Sequence, residues 1–207
     1  MKRHCLALAL VMPVAAAASP LAGVTEDRNF PIIVDTDPVR EGPVEIAGCV
    51  LAAGADCPGV DLSNQDLSGI NLNGANLKGA VLTRVDLTLA ELKGADLSGA
   101  DLRGAKLEKV QMQGANLAGA DLTGANLDYS RMAGVDLTEA NLTAASMEAV
   151  WANKARMVGV TLVAANLAEA KFYNADLAEA NLAANNMRFT IWEGVHMENC
   201  IGCPVDW

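Results

Sequence analysis

From residue 60 to residue 199 an apolar side chain recurs at every fifth position. Leu62, Leu67, Leu72, Leu77, Leu97, Leu117, Leu122 and Leu127 belong to this column, and Met112, Met132, Met147, Met157 and Met187 stand in for leucine elsewhere along it. Two positions earlier runs a second column of small or β-branched residues: Val60, Ala75, Ala80, Ala95, Ala100, Ala115 and Ala120. The remaining positions are mostly polar, and the stretch holds twenty-eight units of five residues with no insertion or deletion. A period of five fits neither the 3.6 of a helix nor the 2 of an isolated strand, so each unit is predicted to be a short extended piece followed by a turn. Gly69, Gly74, Gly79, Gly94, Gly99 and Gly114 sit where such a turn uses positive φ cheaply. The abundance of Ala and Leu would by itself suggest helices, but the fixed period overrides it and predicts a solenoid.

The best-kept stretch, GANLAGADLTGANL from Gly114 to Leu127, resembles the pentapeptide-repeat family, and the resemblance covers 140 of the 207 residues. It implies an all-β fold, a right-handed quadrilateral β-helix with four units per coil and about seven coils. At about 4.8 Å between rungs the shaft would be roughly 34 Å long. The resemblance also implies that the central residues and the small residues two before them point inward, leaving three positions of each unit to solvent. Short caps are expected at both ends of such a stack.

Outside the repeats the organisation is read as a leader at 1–18, an N-terminal extension and cap with a disulfide loop at 19–59, and a C-terminal cap at 200–207. The leader reading rests on Lys2 and Arg3, the apolar run from Cys5, and small residues suited to cleavage near Ala18. It predicts export to the periplasm. No apolar run reaches the roughly 18 residues needed to span a bilayer, so no transmembrane segment is expected. Residues 19–59 are acidic and proline-punctuated, with one apolar run at Pro31–Val34 suited to a short extended segment. Asp35 and Asp37 in that region read as solvated loop carboxylates rather than a cation site. Residues Val44–Ala55 are expected to fold over the first coil, turning Ile46, Val50 and Leu51 onto the core.

Removal of the leader leaves Cys49, Cys57, Cys200 and Cys203, an even number in a compartment that permits disulfides. The first two precede the repeats and the last two follow them. In the rod that the resemblance implies, a bond from one end to the other is excluded by distance, which leaves Cys49–Cys57 and Cys200–Cys203. A redox-active reading of Cys200-Ile-Gly-Cys203 lacks the helix and βαβ surroundings that lower a thiol pKa. A four-cysteine zinc site would need ligands from both ends of the rod. No metal or cofactor is assigned.

Enzymatic chemistry finds little to use. His4 and His196 are the only histidines; the first leaves with the leader and the second occupies an outward position of the last unit. The Asp and Asn residues before the central leucines, Asp61, Asp66, Asn71, Asn76, Asp96 and Asp101, recur too regularly to be acid–base pairs and read as turn acceptors. No catalytic residue is assigned.

Charge bears on one further alternative, because some members of the family resemble B-form DNA and protect DNA gyrase. Without Lys2 and Arg3 the chain carries 13 basic and 25 acidic residues, a net of −12, of which the repeats hold −6. One outward column reads Asp61, Val81, Asp101, Asp121, Asn141, Thr161 and Asn181, so negative charge fades along it, whereas a mimic of regularly spaced phosphates would sustain it. No nucleic-acid partner is expected, and the gyrase-protecting alternative requires the leader to be misread.

Stacking the sequence by twenties exposes one departing face, with central residues Leu72, Leu92, Met112, Met132, Ala152, Phe172 and Trp192. Just outside it stand Gln111, Arg131, Trp151, Lys171 and Ile191, and the adjoining column holds Lys109, Tyr129, Ala149, Glu169 and Phe189. With Tyr173, these define a candidate partner-binding patch of Lys109, Tyr129, Arg131, Trp151, Lys171, Tyr173 and Phe189, because aromatic and arginine enrichment marks interaction hot spots. Core drift is the competing explanation: Val150 fills space left by Ala152 while Trp151 covers the dent. Phe189 and Trp192 are also candidates for the C-terminal cap with Ile201, Val205 and Trp207, or for an end-to-end homodimer seam. The sequence thus predicts a non-enzymatic, exported binding or scaffold module for a protein partner in the cell envelope.

Overall fold

A computed structural model describes residues 44–204, all within the second of the two units into which the chain divides, Val39–Trp207. The leader at 1–18, Pro31–Val34, Asp35, Asp37, Val205 and Trp207 lie outside the described residues.

The five-residue period becomes a coil of four units. Parallel bridges join each residue before a central position to the residue twenty further on, beginning with Asp56↔Asn76 and ending with Asn181↔Ile201. The ladder therefore reaches one unit beyond 60–199 at either end. Ala55-Asp-Cys-Pro-Gly59 supplies the first unit, with Cys57 in the place of leucine, and Ile201 takes the bridging place in the last. Only one residue per unit is extended enough to bridge, because a turn follows it at once.

One unit shows the hydrogen bonding that recurs along the ladder. Asn76 N–H donates to the Ala55 carbonyl at 2.7 Å, and Leu77 N–H donates forward to the Asp96 carbonyl at 2.7 Å. Gly79 N–H reaches the Ser98 carbonyl at 2.9 Å, and Ala80 N–H closes the turn onto the Leu77 carbonyl at 3.0 Å. Gly79 has φ +64° while Lys78 does not enter the positive region, as a type II turn requires at its third residue. The Asp or Asn before the central residue secures the same turn. Asp61 Oδ1, for example, accepts the Ser63 N–H at 2.9 Å, and Asp96 Oδ1 accepts that of Ser98 at 2.9 Å.

The central and small columns form one continuous core. Leu62, Leu67, Leu72, Leu77, Leu97, Leu117, Leu122 and Leu127 are all at most 1% exposed, and each fully buried leucine contributes about 2 kcal/mol relative to its exposed state. On the departing face the Phe172 and Trp192 rings stack with centroids 5.0 Å apart and planes 9° from parallel. Ala152 and Val150 next to them are fully buried, so the large Phe172 and the small Ala152 exchange volume along the column as close packing demands.

A two-stranded antiparallel hairpin, β1 (Val44–Ile46) and β2 (Cys49–Leu51), precedes the first coil. Its two-residue turn, Ala47-Gly48, has positive φ at both positions, the geometry that matches strand twist. Strand alternation buries Cys49 and Leu51 and leaves Val50 47% exposed. Val50 therefore does not face the core, contrary to the sequence expectation: two-residue periodicity puts it on the opposite side from Leu51. No helix among the described residues is long and apolar enough to cross a membrane.

Candidate functional site

The corner residue within each turn takes the left-handed conformation in every unit, and that restricts what can stand there. An L-residue pays roughly 1–2 kcal/mol for this backbone where glycine does not. Of the four corners, one is built of Gly74, Gly94, Gly114, Gly134, Lys154, Asn174 and Gly194, and a second is also mostly glycine. A third carries Asn64, Arg84, two glycines and then alanines. The remaining corner has no glycine after Gly69 and reads Leu89, Lys109, Tyr129, Ala149, Glu169 and Phe189, with φ between +53° and +63°. Leu89, Tyr129 and Phe189 are 58%, 54% and 73% exposed. Large apolar residues thus occupy strained, solvent-facing positions on a single corner, an arrangement that packing does not require.

The adjoining bridge column continues the surface. Arg131, Trp151, Lys171 and Ile191 follow one another along the ladder; Arg131 is exposed, Trp151 is 50% exposed, and Lys171 and Ile191 are half-buried. The Lys171 ammonium lies 4.1 Å from the centre of the Trp151 ring, and the Arg188 guanidinium carbon 5.2 Å from that of Phe189. Tyr173, half-buried, stands two residues beyond Lys171 on the same face. A shallow hollow of about 240 Å³ between Glu148, Glu169, Asn186, Arg188 and Phe189 marks the far end of the corner. The structure thus brings Lys109, Tyr129, Arg131, Trp151, Lys171, Tyr173 and Phe189 onto one corner and the face next to it, and adds Leu89 and Arg188. Leu89 had a sequence signal, being the only leucine between 60 and 199 outside the central column. Trp192, by contrast, is core at 5% exposure and has no part in the surface, while Phe189 and Ile201 are 73% and 62% exposed.

Beneath this edge one fully buried inward position is polar. Ser130, between Val110 and Val150 in the small-residue column, is fully buried and its hydroxyl has no hydrogen-bond partner.

The four cysteines flank the ladder. Cys49 of β2 is bonded to Cys57 of the first unit, and Cys200 to Cys203, each pair with Cα atoms 5.8 Å apart. The first pair is buried at 6% and 8%, the second half-buried. Gly202, at φ +71°, lies so close to the Leu182–Ala183 peptide that an added Cβ would stand 3.0 Å from Ala183 backbone atoms. The Cys200–Cys203 loop is thereby laid flat on the preceding coil, with no helix beside it among the described residues.

His196 Nδ1 is 2.9 Å from Asp176 Oδ1, and Nε2 is 3.6 Å from Glu198. The hydrogen bond to Asp176, and then the charges of Asp176 and Glu198, raise the imidazole above its ordinary value against partial desolvation. Desolvation would raise Asp176, but the His196 bond, the Ala178 N–H and the charges of His196 and Arg156 together hold it low. Asp136, Arg156, Asp176 and His196 follow one another in one bridge column, so the pair belongs to an exposed ladder of alternating charge. No group of three metal-ligating side chains occurs among the described residues. In the column suggestive of a phosphate mimic, Arg103 bonds Asp101 at 2.6 Å and lies 3.9 Å from Asp121, which partly neutralises its two adjacent carboxylates.

Four-sided coils, single-residue rungs and inward leucine columns define a β-helical solenoid with its chemistry on the outside. The chain belongs to the pentapeptide-repeat family, whose fold is a right-handed quadrilateral β-helix: the model of the pentapeptide repeats matches it in eight overlapping copies between residues 55 and 199. Among solved structures it is similar to HetL of Nostoc sp. strain PCC 7120, a pentapeptide repeat protein involved in heterocyst differentiation regulation, at 27% identity over 70% of this chain and 86% of that one, TM-score 0.26. It is similar also to a pentapeptide repeat protein of the Arabidopsis thaliana thylakoid lumen, at 36% identity over 44% of this chain and 68% of that one, TM-score 0.28. A third is QnrB1, a plasmid-mediated fluoroquinolone resistance protein, at 24% identity over 72% of both chains, TM-score 0.32. No curated protein matches the chain significantly.

Proposed function

We propose that this is an exported, non-enzymatic repeat protein that binds a protein partner in the cell envelope through the corner and face bearing Tyr129, Arg131, Trp151, Lys171 and Phe189. The observation that carries the reading is the concentration of exposed Leu89, Tyr129 and Phe189 on a single corner, at left-handed positions where backbone strain makes bulky side chains costly. Large rings beside arginine are the composition of interaction hot spots. They stand on a convex edge rather than around an enclosing cleft, which suits a macromolecular partner better than a small substrate. Export is supported by the charged, apolar and small-residue order of the first eighteen residues and by two cysteine pairs, which persist in oxidising compartments.

Two measurements test the proposal. Intact mass of protein from separated periplasmic and cytoplasmic fractions, alkylated before reduction, should find a leaderless periplasmic species four hydrogens lighter than its reduced form. An uncleaved cytosolic species with free thiols would overturn the address. A photo-crosslinking residue at position 149 should then capture a partner in intact cells, and Trp151→Ser with Tyr129→Ser should abolish that capture. Capture unchanged by both substitutions would overturn the assignment of the edge.

A further inference from the structure

Charge of both signs lines the docking edge, in an order that is its own complement when reversed. On successive rungs the corner reads Leu89, Lys109, Tyr129, Ala149, Glu169 and Phe189. Apolar residues stand at both ends, a cation and a carboxylate one rung in from them, and a large and a small residue meet at the middle. Resting on the reading of this edge as a protein-binding surface, we infer that its partner is a second copy of this chain, packed antiparallel about a two-fold axis between Tyr129 and Ala149. Leu89 then faces Phe189, Lys109 faces Glu169, and the Tyr129 ring covers Ala149, each contact being made twice.

The face beside the corner obeys the same operation. Arg131 meets Trp151 across the axis: the Lys171 ammonium already covers part of that ring at 4.1 Å, and the arginine stacks on the half that is exposed. In the next outward column Lys93 meets Glu193. Lys93, Lys109, Glu169 and Glu193 are all exposed, and none joins an ion pair among the described residues. Within one chain Lys109 and Glu169 are three rungs apart, about 14 Å, and Lys93 and Glu193 five, about 24 Å, so a single copy keeps the opposite signs apart. The carboxylates left over are engaged at home. Glu91, opposite Ile191, accepts the Asn73 side-chain amide at 2.7 Å. Glu108, Asp128 and Glu148, on the far side of the corner, accept bonds from Asn126, Ser146 and Asn166.

Other alignments of two copies lack this match. A parallel pair sets Lys109 on Lys109 and Glu169 on Glu169. Moving the axis by half a rung sets Glu169 against Leu89 in one direction and against Tyr129 in the other, and leaves Lys109 against Ala149 or Phe189. Along this face each rung is bonded to the rungs on either side, as Trp151 is to Arg131 and Lys171, so the contact runs through side chains rather than a shared strand edge. One face of the coil buries less than the about 1,600 Å² of a standard interface, and two acidic chains repel one another. The dissociation constant is therefore expected at roughly 10 to 100 μM.

The test is sedimentation velocity of the leaderless, disulfide-bonded protein over a concentration series from well below to well above that range, which should show reversible dimerisation. Lys109→Glu or Glu169→Lys alone should weaken it about tenfold or more, because each sets like charges opposite one another twice per dimer. An equimolar mixture of the two single variants should regain the dimer, since each copy then carries the charge that its partner's contact lacks. Arg84→Glu, on another corner and with the same change of net charge as Lys109→Glu, should leave dimerisation as it was. A protein that stays monomeric at every concentration, a dimer indifferent to both single variants, or a mixture that dimerises no better than either variant alone overturns the inference. In intact cells the product captured from position 149 should have twice the mass of the chain. A product of another mass that still depends on Trp151 and Tyr129 removes only the second copy as partner. If that dependence is absent, the edge itself is misassigned.

Discussion

At the scale of the residue, Ser130 is the position where the sequence and its surroundings disagree most. The motif places alanine or valine there, and the buried hydroxyl finds no partner, so it carries a desolvation cost without return. Ser130→Ala should stabilise the protein by about 1 kcal/mol, read as a raised midpoint in chemical denaturation with unchanged slope; a destabilised variant would mean the hydroxyl is bonded after all. His196 offers a second check. Its pKa is raised chiefly by the bond to Asp176, and Asp176→Asn should bring it back toward about 6.5 in an NMR titration. A His196 that titrates identically in both proteins would show that the pair is not formed in solution. Residues such as these were poorly legible beforehand. Ser130 and Ala152 look like ordinary drift along a column until the depth of burial is known.

At the scale of the element, the repeating unit was legible because its two inward columns are set by a period that no helix or strand shares. The hairpin was not. Val50 and Leu51 are adjacent and both apolar, and only the pairing of Cys49 with Ile46 decides which of them turns inward. The first unit was hidden because Cys57 and Pro58 stand where the motif has leucine and a polar residue, although the chain still bridges at Asp56. The two disulfides close very different elements. Cys49 and Cys57 are buried between hairpin and first coil, eight residues apart, while Cys200 and Cys203 are half-buried and three apart. A shorter loop constrains the unfolded chain less, and an accessible bond is open to thiolate attack without local unfolding. Titration with dithiothreitol followed by alkylation and peptide mass analysis should therefore find Cys200–Cys203 reduced first. Reduction of Cys49–Cys57 should coincide with loss of amide protection in Val44–Leu51; the reverse order would contradict the burial described.

At the scale of the whole molecule, the many turn-capping aspartates act together on acid stability. Hydrogen bonds from the Ser63 hydroxyl and N–H lower Asp61, and the Ser98 N–H and hydroxyl lower Asp96. The Arg103 side chain lowers Asp101, while the bonds of Thr88 and Lys106 outweigh desolvation at Asp86. Carboxylates with lowered folded pKa contribute stability that is complete above about pH 3.9, their unfolded value, and is lost as pH falls through the folded values. His196 acts in the opposite sense: its contribution is complete below about pH 6.5 and is lost as pH rises through its raised folded pKa. The thermal midpoint should thus fall steeply below about pH 4 and slightly above neutrality, with Asp176→Asn removing most of the alkaline decline. A midpoint insensitive to acid would mean the turn bonds persist with protonated carboxyls.

The unbroken twenty-residue register has a geometric consequence for recognition. Because each unit turns the chain through one side of a square, removing a single five-residue unit between Tyr129 and Trp151 would leave every later rung paired but rotate it by a quarter turn. Lys171 and Phe189 would then point away from Tyr129, splitting the surface between two faces while the fold survived. Removing four units would shorten the surface by one rung and keep it aligned. Chain length between the residues of the proposed surface is therefore itself a determinant of whether they share one face, counted in multiples of twenty.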